Sequence, residues 1–219
     1  VDFIVTGHDV KGDPNFVIIE LKQWSWADVV REKPGIVVAN VAGSRNEETN
    51  HPCYQAWSYK VFLENMLNTV EEHHLQAHAC AYMYNYPYKG FEVDPLAADP
   101  NHELVRDTPL FGHFVSQYVG RGDGEAIMEL LADGKIVPGK GLVDAVSGMF
   151  DEVSPRSFTL IDEQKLAYET VMDAVRTTPV NDKHCVIIAG GPGTGKSVVA
   201  MSALVAILRE FRNNEQRRN

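Results

Sequence analysis

Two short runs, residues 1–7 (VDFIVTG) and 16–24 (FVIIELKQW), are dense in β-branched and aromatic residues and flank HDVKGDPN, which carries the Gly, Asp, Pro and Asn of a turn. The pattern predicts an antiparallel hairpin. With the turn centred near Lys11, paired residue numbers sum to about 22, which sets Asp2 opposite Glu20 on a shared sheet face. Period-two alternation puts Lys22 on that face too. The second run otherwise reads as a buried strand, so an acid and a lysine near its end call for an explanation.

The period changes over residues 51–72, HPCYQAWSYKVFLENMLNTVEE, where Phe62, Leu63, Met66, Leu67 and Val70 make the apolar stripe of an amphipathic helix. Gln55 and Tyr59 fall on one side of its first turns. LQAHACAYMYNYP (75–87) supplies the following strand. From about Asp94 the chain turns Pro- and Asp-rich. LFGHFVSQYV, GEAIMELLADG and KGLVDAVSGMF then read as short helices divided by Gly and Pro, a helical connector over 94–157. FTLIDEQKLAYETVMDAV (158–175) is an amphipathic helix with Leu166, Val171, Met172 and Val175 apolar. HCVIIAGGPGTGKSVVAMSALVAILREF (184–211) reads as apolar strand, Gly-rich loop and helix. The class is α/β, in three parts: 1–93, 94–157 and 158–219.

Composition changes this picture little. The 219 residues, 44% hydrophobic and 23% charged, are ordinary for globular chains. No run approaches the roughly 18 apolar residues of a membrane helix, and the first residues lack a signal-peptide pattern, so a cytoplasmic protein without a membrane partner is expected. Cys53, Cys80 and Cys185 lie far apart without C-x-x-C spacing and are expected to be reduced packing residues. A net charge of −10 argues against a surface that coats nucleic acid generally. Residues 91–155 hold four Lys/Arg against twelve Asp/Glu, so the acidity sits in the middle and leaves the ends able to approach a polyanion. The acidic connector reads most simply as a solvated face, with a protein partner or self-association as its alternative.

Asp2, Glu20 and Lys22 admit two readings. One is an ion pair at a sheet margin. The other is a metal site, because two carboxylates with waters and a substrate phosphate are what Mg²⁺ or Mn²⁺ accepts, with Lys22 beside the phosphate charge. Gly190 to Ser197 fits G-x-x-x-x-G-K-[ST] in the strand-loop-helix context that motif needs. There Gly190, Gly191, Gly193, Thr194 and Gly195 let backbone N–H groups curl around the phosphates of ATP, Lys196 reaches the β/γ-phosphates and Ser197 offers a hydroxyl to Mg²⁺. His73, His74 and His78 match no H-E-x-x-H pattern, straddle a helix-to-strand boundary and are expected to be structural or solvated. Trp24, Trp26 and Trp57 are left unassigned between packing and base stacking.

In order, Asp2, Glu20-x-Lys22 and the Gln55-x-x-x-Tyr59 helix resemble the PD-(D/E)xK nucleases of the RecB-like kind. That resemblance implies a restriction-endonuclease-like core, Asp2 and Glu20 as metal ligands with the Leu21 carbonyl as a third, and catalytic roles for Lys22, Gln55 and Tyr59. LIDEQ followed by GGPGTGKS is similar to the start of superfamily 1 helicases, which implies that Gln164 reads adenine. The whole order resembles bacterial Schlafen-like DNA/RNA helicase-domain proteins with an N-terminal nuclease, and implies cleavage of DNA or RNA coupled to ATP, in phage defence or repair. The alternative is an ATP-dependent switch whose nuclease-like half is a scaffold. The family's preceding helix and strand and its later helicase motifs are not in the sequence, so an internal piece of a longer protein is expected, with weak or no ATP binding and no turnover by itself.

Overall fold

The structure, a computed structural model, describes residues 1–41, 44–86, 103–105, 108–137, 159–179 and 181–216. The chain divides into two compact units, Val1–Gly139 and Lys140–Asn219. The protein is mixed α/β.

In the first unit, β1 (Phe3–His8) and β2 (Pro14–Leu21) form the expected hairpin with paired residues running from Phe3↔Ile19 to His8↔Pro14. The Asp9 carboxylate fixes the turn by accepting from the N–H groups of Lys11 at 2.8 Å and Asp13 at 3.0 Å, and Gly12 takes the left-handed φ of +91°. β6 (Gln76–Tyr82) pairs with β2 in parallel, and β7 (Glu103–Val105) pairs in parallel with β6. The sheet order is β1-β2-β6-β7. Between β2 and β6 the chain makes a second, antiparallel sheet of β3 (Ala27–Val29), β4 (Ile36–Val41) and β5 (Ser44–Asn50).

Alternation along β2 sorts the core into two layers. Phe16 and Ile18 face a cluster with Ile4, Leu67, Val70, Leu75 and Ile127, roofed by α1 (Pro52–Met66), α2 (Asn68–Glu72) and α4 (Glu125–Asp133). Val17 and Ile19 face the other way, against Cys80, Phe114 and Tyr118, under α3 (Thr108–Tyr118). The connector expected over 94–157 therefore does not stand apart. Its described helices α3 and α4 cover opposite faces of the first sheet, because their apolar stripes bury there. The helix expected within 140–150 lies outside the described residues.

The single helix expected over 51–72 is broken at Leu67, which is extended (φ −95°, ψ 113°). The backbone there bonds residues 135–137 instead: Val137 N–H donates to Met66 O at 2.8 Å, and Asn68 N–H donates to Lys135 O at 3.2 Å. At its other end α1 is started by Pro52 and by His51 Nδ1, which accepts from Cys53 N–H at 3.2 Å.

In the second unit, α5 (Glu163–Thr177) packs on α6 (Lys196–Gln216) around Met172, Val199, Ala203 and Val205. Arg176 of α5 pairs with Glu210 of α6. Val175, expected in the apolar stripe, is exposed, as is Cys185. The strand expected at 184–190 is not formed, and Ile187 is 85% exposed. The residues have strand propensity, but a strand is held by a ladder of partners, and none pairs with this segment among the described residues. Among the described residues no helix is long and apolar enough to cross a membrane.

Candidate active site

The hairpin register, carried one step beyond β1, sets Asp2 against Glu20, and Asp2 Oδ2 accepts from Leu21 N–H at 2.8 Å. Glu20 follows Phe16 and Ile18 in alternation, so it lies on the face roofed by α1; Asp2 stands two before Ile4 on that same face. Glu20 is only 3% exposed. Its Oε1 accepts from Lys22 Nζ at 2.7 Å, while the buried Oε2 has no hydrogen-bond partner among the described residues. Burial pushes the Glu20 carboxyl above its ordinary range; Lys22 pulls it back, and the charge of Asp2 adds to the upward push. A fully buried carboxylate with one oxygen unsatisfied is costly unless something else uses that oxygen.

No group of three or more His, Cys, Asp or Glu side chains gathers among the described residues. A cation here would rest on two carboxylates, backbone oxygen such as that of Leu21, and water. That all-oxygen set fits Mg²⁺ or Mn²⁺, and the orphaned Glu20 Oε2 is a ready donor for it.

Helix α1 brings Gln55 and Tyr59 to the Glu20 side of the sheet. Gln55 Nε2 lies 3.4 Å from Tyr59 Oη, and the Tyr59 ring packs on the cluster around Phe16 and Ile18. The two side chains thus lie along one flank of the helix.

The tryptophans separate by environment. Trp24 is core, packed with Ala27, Val37, Ala39 and Met83; Trp26 is 45% exposed; Trp57 pairs with Tyr54 at 5.7 Å. The Lys22 Nζ lies 5.6 Å from the centroid of the Trp24 ring, a contact that the sequence signalled only by the two-residue spacing. His73 and His74 are exposed, whereas His78 stacks on Tyr118 at 3.5 Å under α3 and meets Asn15 Oδ1 at 2.9 Å. Burial, with the charge of Lys60 second, lowers the His78 pKa to about 4. Being neutral in the folded state, His78 takes up a proton only on unfolding between its ordinary 6.5 and about 4. Its contribution to stability is complete above that window and is lost as pH falls through it. His78→Gln is expected to flatten the stability slope in this window relative to the parent, measured by urea unfolding at stepped pH.

In the second unit the Gly190–Ser197 loop closes on its own lysine. Lys196 Nζ donates to Gly190 O at 2.8 Å and Gly191 O at 2.6 Å, with Thr194 Oγ1 at 3.4 Å. Gly193 (φ +76°) and Gly195 (φ +81°) take left-handed turns that other residues resist, and α6 starts at Lys196, so its free N–H groups open toward the loop. Ser197 is exposed on the first turn. Gln164, near the start of α5, spans to the loop: Nε2 donates to Thr194 O at 3.2 Å, and Oε1 accepts from Ile161 N–H at 3.2 Å. A Cβ on Gly195 would meet that amide, the movable end of the Gln164 side chain, so glycine is called for there by its left-handed φ. The link between Gln164 and the loop was foreshadowed in sequence only by their order.

No protein-family model, curated protein or solved structure matches the chain.

Proposed function

We propose that the first unit is a metal-dependent nuclease of the PD-(D/E)xK kind, acting on DNA or RNA, and that the second is the nucleotide-binding part of an ATP-driven motor or switch that governs it. The observation that carries this reading is Glu20. It is a buried carboxylate with a free oxygen, set beside Asp2 and Lys22 on the face under the Gln55–Tyr59 helix. The sheet order, with a parallel strand beside the hairpin and α1 across it, is compatible with such a core.

Asp2, Glu20 and the Leu21 carbonyl would hold Mg²⁺ or Mn²⁺, which supplies Lewis-acid charge that lowers the pKa of water and offsets phosphate charge. Lys22 stabilises the negative charge that grows on the phosphate oxygens as a water oxygen bonds to phosphorus and the bond to the leaving oxygen breaks. Gln55 and Tyr59 orient the phosphate by donating hydrogen bonds from α1. In the second unit Gly190, Gly191, Gly193, Thr194 and Gly195 surround the ATP phosphates, Lys196 meets the β/γ-phosphates and Ser197 faces Mg²⁺. Gln164 retains one N–H and one lone pair of its amide for adenine.

The test is incubation of the protein with end-labelled DNA and RNA, single- and double-stranded, with Mg²⁺ or Mn²⁺ and with or without ATP. Metal-dependent cleavage that stops with chelator is expected. All four substrates left intact at saturating metal would overturn the nuclease reading in favour of a scaffold attached to an ATP switch.

A further inference from the structure

Trp24 stands two residues after Lys22, just past the end of β2, and is buried at the centre of the cluster that joins the small sheet to Met83 beyond β6. The ring is thus fixed by packing on several sides. Lys22, by contrast, ends in a flexible four-carbon stem whose ammonium needs a guide. That ammonium contacts two groups of different kinds: Glu20 Oε1 at 2.7 Å, which neutralises it, and the Trp24 ring face at 5.6 Å from the centroid, which attracts it without cancelling its charge.

We propose that Trp24 is a positioning residue for Lys22, holding the ammonium at the mouth of the site when the Glu20 carboxylate is engaged by another cation. The inference rests on the nuclease reading above. If Glu20 were the only partner, Lys22 would swing into solvent once that carboxylate was engaged, and its charge would be screened and disordered. With the ring in place it stays within reach of a phosphate lying over Asp2 and Glu20.

The experiment is a double-mutant cycle in the full chain, with Trp24→Leu and Trp24→Phe each made in the parent and in Lys22→Met. Cleavage of a labelled strand is followed with Mg²⁺ or Mn²⁺, and thermal unfolding is followed without metal or substrate. Trp24→Leu is expected to lower kcat about two- to thirtyfold, the range of a cation–π contact, with KM little changed. Trp24→Phe restores most of that loss, and Trp24→Leu in the Lys22→Met background loses nothing more. In unfolding, the two substitutions are expected to be non-additive. Equal kcat losses in both backgrounds, or no loss at all, would overturn the proposal and leave Trp24 a core residue. Should the parent cut none of the substrates, the nuclease reading fails by itself, and additive unfolding then overturns the Lys22–Trp24 contact independently. Trp24→Met takes the place of Trp24→Leu if the latter does not fold.

Discussion

Glu20→Gln is expected to melt at a higher temperature than the parent in metal-free buffer at neutral pH, and to lose both metal-induced stabilisation and cleavage. The two halves of this result have one cause. Burial raises the Glu20 pKa, so the folded state disfavours the ionised side chain relative to the unfolded chain. A carboxyl raised in this way contributes stability below its ordinary value of 4.5, which is lost as pH rises through the folded value. Gln removes that loss, keeps the shape and still accepts from Lys22. The gain should therefore appear at neutral pH and vanish toward pH 4, a signature that general repacking would not give. The same substitution deletes the anionic donor a divalent cation needs. At a metal concentration a hundredfold above Kd the parent gains ~2.7 kcal/mol, and the variant gains none. In the parent that gain grows as pH rises through the Glu20 range, because only the ionised form binds. Differential scanning fluorimetry with and without Mg²⁺ or Mn²⁺ reads both halves. A variant that melts lower than the parent yet keeps its metal response would place the metal elsewhere.

Lys22→Ala is expected to act in the opposite sense on melting and on the metal response. Without metal it leaves the buried Glu20 carboxylate with no cation, and the first unit melts lower by ~1–3 kcal/mol, since losing one partner strands the other. Added Mg²⁺ or Mn²⁺ then stabilises the variant more than it stabilises the parent, because no ammonium competes for Oε1. Cleavage nevertheless slows by roughly 10²-fold or more at saturating metal, the loss typical of a group that stabilises charge in the transition state. The decisive comparison is metal affinity by calorimetry against kcat. Were both to fall together, Lys22 would be supporting the ligand cage and not the reacting phosphate.

The hairpin register was legible because it is local. Gly12 and the Asp9 side chain fix the turn, and a fixed turn fixes every pair up to Asp2 and Glu20. The face that α1 covers was legible for a similar reason, since period-two alternation carries Phe16 and Ile18 to Glu20. The break at Leu67 was not, because it depends on backbone bonds to residues 135–137, far along the chain. β3–β4–β5 escaped reading altogether: IVVANV has strand composition, but its partner SRNEETN is polar and carries no apolar alternation. The run 185–189 misled in the other direction, having the composition of a buried strand and no ladder among the described residues. Gln164 was singled out by position, yet its reach to Thr194 O is a fact of three dimensions alone.

The parallel pairing of β2 with β6 bears on when the site comes into being. Antiparallel β1 and β2 can close through a five-residue turn, whereas β6 reaches β2 only after residues 22–75, including the small sheet and α1, have been drawn in. Contacts of high sequence separation form late, because the entropy of closing the intervening loop is lost before they stabilise anything. In a chain with only the hairpin formed, Asp2 and Glu20 already lie side by side, but in water. The desolvation of Glu20 arrives with the docking of β6 and α1. Its electrostatic character is therefore a product of the slow, non-local step of folding, and a rising pH, which charges Glu20 before it is buried, works against that step and leaves hairpin formation untouched.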